Sequence, residues 1–247
     1  MTRPGPLTVF TALLVLVCAA APAKAQPRIH VHAGLSLPGG DYGGTDAPAD
    51  GGASPGYAIT AELEIDLGGG GLVWSTLGGV NKNPFDDAAL SYSDSALVAM
   101  RDDVGEEEMP GFTIDKGGWW AVPLVTGLRY ERPLTGGLAG FVSGHVGLAA
   151  VSTPSLKWTY VNQVDRVAEE GFEWGVSFAW AVGAGLDIGD RFTLGGRAWF
   201  VGSPGLTATR EYYATRGDVG AVIWTDEHDW DVDLQMVTVQ LGIRFDS

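Results

Sequence analysis

Cysteine is almost absent from this 247-residue chain: Cys18 is the only one. It falls within the first twenty-five residues, which read as a removable leader, so neither disulfides nor thiolate-bound metals can support the remainder. Long apolar runs are also missing. Beyond the leader no stretch holds eighteen consecutive apolar residues, which excludes a transmembrane helix. Basic residues are scarce, 15 against 30 acidic, and loss of Arg3 and Lys24 with the leader takes the net charge from −15 to −17. A field of that sign repels phosphate backbones, so no nucleic acid partner is expected. Phosphate-binding fingerprints are lacking too: no Lys-Ser/Thr follows Gly68 to Gly71, which reads as a tight turn between strands.

The leader has the three parts of a secretory signal. Arg3 is the positive start, Leu7 to Ala21 the apolar core, and Ala23-Lys24-Ala25 a small-residue cleavage site. This divides the chain into a signal peptide, residues 1–25, and one domain, residues 26–247. Fifteen apolar residues are too few to span a bilayer as a helix. Val17 stands before Cys18 where a lipoprotein signal needs a small residue, which argues against lipidation.

What the chain does have is alternation. In the last segment Val237, Val239, Leu241, Ile243 and Phe245 point one way, and Met236, Thr238, Gln240, Gly242 and Arg244 the other. Side chains leave a strand on alternate faces, so this is a strand with one apolar face. The same period recurs over Ile29–Leu37, Tyr57–Leu67, Leu72 to about Asn81, Gly118–Tyr130, Leu138–Ala150, Trp174–Ile188 and Phe192–Val201. In the third of these the faces compete, Leu72, Trp74 and Val80 against Val73 and Leu77. The connections run long, short, long, short, long, short, long. Pro38–Pro55, Lys82–Lys116, Ser152–Gly171 and Gly202 to about Asp229 read as exposed polar loops, with one short helix possible over Ala88–Met100.

Eight alternating strands, one set of short turns and a last strand ending near the terminus on Phe245 resemble the bacterial outer membrane β-barrel proteins, of the small OmpA/OmpW-like type. The resemblance implies an all-β fold: an eight-stranded antiparallel up-and-down transmembrane β-barrel with short periplasmic turns and long extracellular loops. It also implies a place in the outer membrane, lipid around the apolar faces, and a closing strand that pairs with the first and is read at Phe245 by the barrel assembly machinery. Closure is how a sheet satisfies every backbone hydrogen bond in lipid.

A soluble lipocalin-like barrel has the same period with its faces reversed. Two features favour a polar interior: the inward face is rich in glycine, and its charges have both signs. Glu62, Glu64, Asp66, Glu131 and Asp187 stand against Arg129, Arg197 and Arg244, with His145 in the same lumen, so a plugged bore crossed by ion pairs is expected. His30-x-His32 could offer two nitrogens to Zn²⁺ or Cu²⁺, but lumen histidines bonded to acids are the preferred reading. Ser143-x-His145 as a nucleophile and base, Asp229-x-Asp231-x-Asp233 as a calcium loop and Trp119-Trp120 as a sugar platform are each ranked below structural readings, the tryptophans as girdle or rim residues. Weak association of divalent cations with the acidic loops is a further expectation; no cofactor and no catalytic residue is assigned. The expected role is structural or surface-interacting and non-catalytic, with a narrow channel for small or apolar solutes and a secreted soluble ligand-binding barrel as alternatives.

Overall fold

The computed structural model describes residues 27–45, 50–68, 70–86, 88–89, 112–160, 166–213 and 220–246. The leader, Cys18 and most of the helix expected over Ala88–Met100 lie outside the described residues. Thirteen strands and one short helix follow in order: β1 (Arg28–Gly39), α1 (Gly40–Gly43), β2 (Gly56–Asp66), β3 (Leu72–Pro84), β4 (Phe112–Lys116), β5 (Gly118–Pro133), β6 (Leu138–Ser152), β7 (Leu156–Tyr160), β8 (Arg166–Glu170), β9 (Trp174–Ile188), β10 (Phe192–Val201), β11 (Leu206–Tyr213), β12 (Val222–Trp230) and β13 (Leu234–Asp246).

Eight of these close into a barrel in the order β1-β13-β10-β9-β6-β5-β3-β2, and all their pairings are antiparallel. They are the eight expected strands. The seam joins the last strand to the first, with Phe245 opposite Ile29, Ile243 opposite Val31 and Val239 opposite Leu35. The short turns share one end. Gly68, Gly70 and Gly71 all adopt positive φ, and a Cβ on Gly71 would overlap the Glu131 carbonyl oxygen, so a side chain is excluded where this turn lies against the end of β5.

Burial decides which face is which. Outward residues such as Leu35 (60% exposed), Val146 (55%) and Leu241 (57%) are open, whereas inward Thr60, Ser75 and Arg129 are fully covered. The soluble-barrel alternative needs the opposite arrangement. The ambiguous strand β3 turns Val73, Leu77, Asn81 and Asn83 inward and Leu72 and Val80 outward. Outward aromatics ring both ends of the apolar band, Trp74, Tyr130, Phe192 and Phe245 towards the short turns and Tyr57, Trp120, Phe178, Trp180 and Phe200 towards the long connections. Trp180 and Phe200 stack across β9 and β10 at 4.0 Å.

The long connections are not the exposed loops expected from their polarity. Five of their segments form a second sheet in the order β12-β11-β8-β7-β4. Its inner face buries Leu156, Trp158, Ala168, Leu206, Ala208 and Tyr212. The expectation fails because these strands are short and carry charges on the buried side: Glu170 and Arg210 are 0% and 5% exposed. They satisfy each other, Arg210 Nε donating to Glu170 Oε2 at 3.0 Å, so two polar letters occupy core positions.

Pro38–Pro55 also buries more than expected. Tyr42 of α1 is 1% exposed and drops into the barrel mouth, where its hydroxyl donates to Asn83 Oδ1 at 3.3 Å. Burial pushes that hydroxyl's pKa up, so Tyr42 stays a neutral donor. Asn83 Nδ2 in turn donates to the carbonyls of Ser36 (3.2 Å) and Ser54 (2.9 Å), which pins the segment down. Trp119 is not a girdle residue: it points inward, is 1% exposed, donates from Nε1 to the Gly51 carbonyl at 2.7 Å, and meets Tyr42 and Trp230 edge to face. Truncating a buried Trp of this kind costs about 3–5 kcal/mol. Trp119→Ala should lower the urea midpoint accordingly and open the 40–54 segment to protease, whereas Trp120→Ala should do neither; equal behaviour of the two would sink the assignment.

Candidate functional site: a charge-sealed bore

The barrel interior is divided along its axis. Towards the long connections it is apolar, lined by Leu77, Ala121, Val125, Val151, Ala179, Ala181, Trp199, Val201, Leu234 and Met236, and continuous with the core beneath the second sheet. The expected plug of ion pairs fills only the half nearer the short turns. It holds four arginines and four carboxylates, with three histidines among them.

The lower tier centres on Arg129, which is fully buried. Its guanidinium reaches Glu64 Oε1 at 2.8 Å, Glu131 Oε1 at 3.0 Å and Asp187 Oδ2 at 2.5 Å, while Phe141 lies 3.7 Å beneath it. Arg28 bridges Glu64 and Glu131, each at 3.2 Å. Arg244 lies 3.4 Å from Asp187 and donates from Nε to His30 Nε2 at 3.3 Å; His30 also faces Glu64 at 3.1 Å. Thr193 donates to the other Asp187 oxygen at 2.8 Å. Three carboxylates, from β2, β5 and β9, thus converge on one cation.

The upper tier centres on Glu62, which is 1% exposed. Arg197 donates to Glu62 Oε2 at 2.9 Å, Ser75 donates to Oε1 at 2.5 Å, and His32 and His145 lie 3.4 and 3.8 Å away. Gln240 accepts from Thr60 at 3.4 Å and from Arg197 at 3.5 Å. Inward alternation explains the grouping: residues two apart on one strand, such as Glu62 and Glu64 or His30 and His32, stack along the bore.

All seven residues assigned from sequence to the lumen network, Glu62, Glu64, Arg129, Glu131, His145, Arg197 and Arg244, lie in these two tiers. Asp66 does not, because it is exposed at the turn end and accepts from the Gly68 amide. Sequence reasoning misses Arg28, although it shares the inward face of His30 and His32; it stands just before the first apolar residue of β1, where the pattern gives no warning. Ser75 and Thr193 escape as well, because isolated hydroxyls on an inward face carry no signal of their own.

The alternative constellations come apart. His30 and His32 stack 5.7 Å apart but face different carboxylates, and among the described residues no group of three potential ligands is placed to hold a metal ion. Ser143 is not hydrogen-bonded to His145, whose Nε2 instead lies 3.0 Å from Ser75 Oγ in a fully buried position. Asp229 and Asp233 accept from Thr207 Oγ1 and the Ser203 amide, each at 2.7 Å.

Breaking a buried pair by removing one partner costs about 3–5 kcal/mol, since the remaining charge stays desolvated. Arg129→Ala, which removes the one cation shared by three carboxylates, should destabilise the barrel by at least that much in a urea titration followed by tryptophan fluorescence. Arg197→Ala, which strands Glu62 alone, should cost less than Arg129→Ala, and adding Glu62→Gln should recover part of the loss. Wild-type midpoints in both single variants would contradict the plug.

No protein-family profile and no curated sequence matches the chain. Among solved structures it is similar to a major outer membrane protein from Thermus thermophilus (14% identity, TM-score 0.49, covering 90% of this chain and 99% of that one). It is also similar to the outer membrane protein OprG from Pseudomonas aeruginosa (10%, 0.43, 90% and 98%) and to Ail, the attachment invasion locus protein of Yersinia pestis (10%, 0.42, 90% and 99%). Closed, antiparallel and wound strand to next strand with its short turns at one end, the chain folds as an eight-stranded up-and-down β-barrel.

Proposed function

We propose that residues 1–25 export the chain and that it resides in the outer membrane as a closed, non-catalytic barrel with a structural or surface-interaction role. The observation that carries this reading is the combination of an outward apolar surface with a bore shut by Arg129 and Glu62 and their partners. An open apolar belt of this extent is costly in water and stable in lipid. Lipid is then the partner of the belt, and the assembly machinery the reader of the Phe245 strand.

A channel role fits less well. Among the described residues the lower tier fills one half of the bore with paired charges, and Tyr42 and Trp119 occupy its other mouth. The second sheet is the surface we assign to interaction, and divalent cations are expected to associate weakly with the acidic connections. Neither Ser143 nor His145 faces a surface from which a substrate could enter, which supports the non-catalytic reading.

Fractionation of the producing cell should put the protein in the outer membrane, and the purified form should migrate faster before boiling than after it. In planar bilayers it should give no resolved conductance steps. Steady unitary steps from pure protein would replace the structural reading with the channel reading, and dispersal in plain buffer without detergent would remove both.

A further inference from the structure

Among the described residues the second sheet ends on a strand with one open side. Among the described residues β12 pairs only with β11, from Leu206 opposite Trp230 to Tyr213 opposite Val222. A row of unpaired amides and carbonyls is a template for another chain, and folded proteins blunt such edges with Lys, Pro, bulges or short strands. This edge is nine residues long, VIWTDEHDW, with no Lys, Arg or Pro. Its register shift lies at Tyr212/Tyr213, at the far tip, so the ladder from Trp224 to Trp230 is regular.

The side chains on this edge are open as well. Ile223 is 65% exposed on one face; Trp224, on the other, is 51% exposed and stacks on the buried Tyr212 at 4.7 Å. Asp226, Glu227 and Asp229 follow, all exposed. The edge thus has an apolar end and an acidic end. The Glu227 amide donates to the Asp226 carboxylate at 2.9 Å, so this donor is held by a side chain that a cation can draw away.

We propose that β12 is a docking edge for an extended cationic peptide segment, which joins the sheet as a sixth strand. The inference rests on the reading that this sheet faces the cell exterior. Main-chain hydrogen bonds to β12 supply the attachment, and alternate side chains supply the selectivity. Basic residues of the incoming strand lie opposite Glu227 and Asp229, and an apolar residue lies beside Ile223 or Trp224. A basic residue opposite Asp226 takes over its carboxylate and releases the Glu227 amide to the ladder. A second copy of this chain is a poorer occupant, since it brings another acidic edge and, without its leader, a net charge of −17.

The test uses the mature protein refolded in detergent micelles and a labelled peptide that alternates Lys with Val and Tyr, followed by fluorescence anisotropy. Saturable binding is expected, weakened by salt, absent for the same peptide with Glu in place of Lys, and weakened about tenfold by Asp226→Asn with Glu227→Gln and Asp229→Asn. Two further peptides carry N-methyl groups at the odd or at the even amides; at least one should lose binding about tenfold, since methylation removes ladder donors but no charge. If both methylated peptides bind like the parent, attraction is by charge alone and the docking edge is overturned; absence of binding, or equal binding of the acidic peptide, overturns it too. Heat-modifiable migration of the same preparations reads the barrel separately, so its loss counts against the membrane reading and not against the edge.

Discussion

A ring of eight strands that turns its apolar side chains outward must gather its polar ones in a bore too narrow for much water, and charges gathered there have to cancel. The two tiers do this with four arginines and four carboxylates. Arg129 has the central position because it alone is fully enclosed and touches acids from three strands. Its planar five-donor fork suits that geometry; an ammonium at the same point could not address three carboxylates from fixed directions. Arg28, Arg244 and Glu131 sit further out, where 12–24% of each side chain still meets solvent, so the charges with most to lose by desolvation are also the most fully paired.

The apolar outer half of the bore follows from the same constraint. Charges need partners in every direction, and the supply of inward charges ends near Glu62 and Arg197. Beyond them the inward positions are Ala, Val, Leu and Trp, which fill space without asking for bonds. A few polar groups persist in this half, and Asn83 shows the condition for keeping one. Its amide gives two hydrogens to Ser36 and Ser54 carbonyls and its oxygen accepts from Ser36 and Tyr42, so nearly every bonding direction is used. The same side chain fastens Tyr42 and Ser54 at the mouth, and a residue that looks like a stray amide on β3 becomes the peg of the outer cap.

This explains what could be read from the residues and what could not. The eight barrel strands are legible because each separates an apolar outer surface from a polar bore, which writes a period of two over ten or more residues. The charged members of the bore are legible for the same reason, being charges on the face opposite an apolar row. The second sheet is not. β7 and β8 are five residues each, too short for a period to stand out, and in β11 the buried face reads Leu206, Ala208, Arg210, Tyr212, so the position that breaks the apolar row is the one that pairs with buried Glu170. Single-sequence reasoning treats a charge as a mark of solvent; here its partner lies 40 residues away in sequence. Tyr42 is lost among glycines, prolines and aspartates for a related reason, since one buried aromatic in eighteen residues has no periodicity at all.

Glu170 links the two sheets in a way that bears on what the outer one can do. Its Oε2 accepts from Arg210 and its Oε1 accepts from Trp230 Nε1 at 2.9 Å. Trp230 closes β12 and sets its ring against Trp119 of the barrel and Phe85 beside it, at 5.2 and 5.9 Å. Arg210 spreads its guanidinium over Trp158 of β7 at 4.6 Å. One carboxylate therefore joins three strands of the outer sheet, and one of its donors is the residue on which that sheet rests on the barrel. A loop held only by its ends would lose much entropy on ordering around a partner, whereas a strand already fixed by such a joint has borne that cost during folding. The base of β12 is anchored through Trp230 while Val222 to Glu227 keep exposed side chains, which is the arrangement that gives an edge a defined direction to offer.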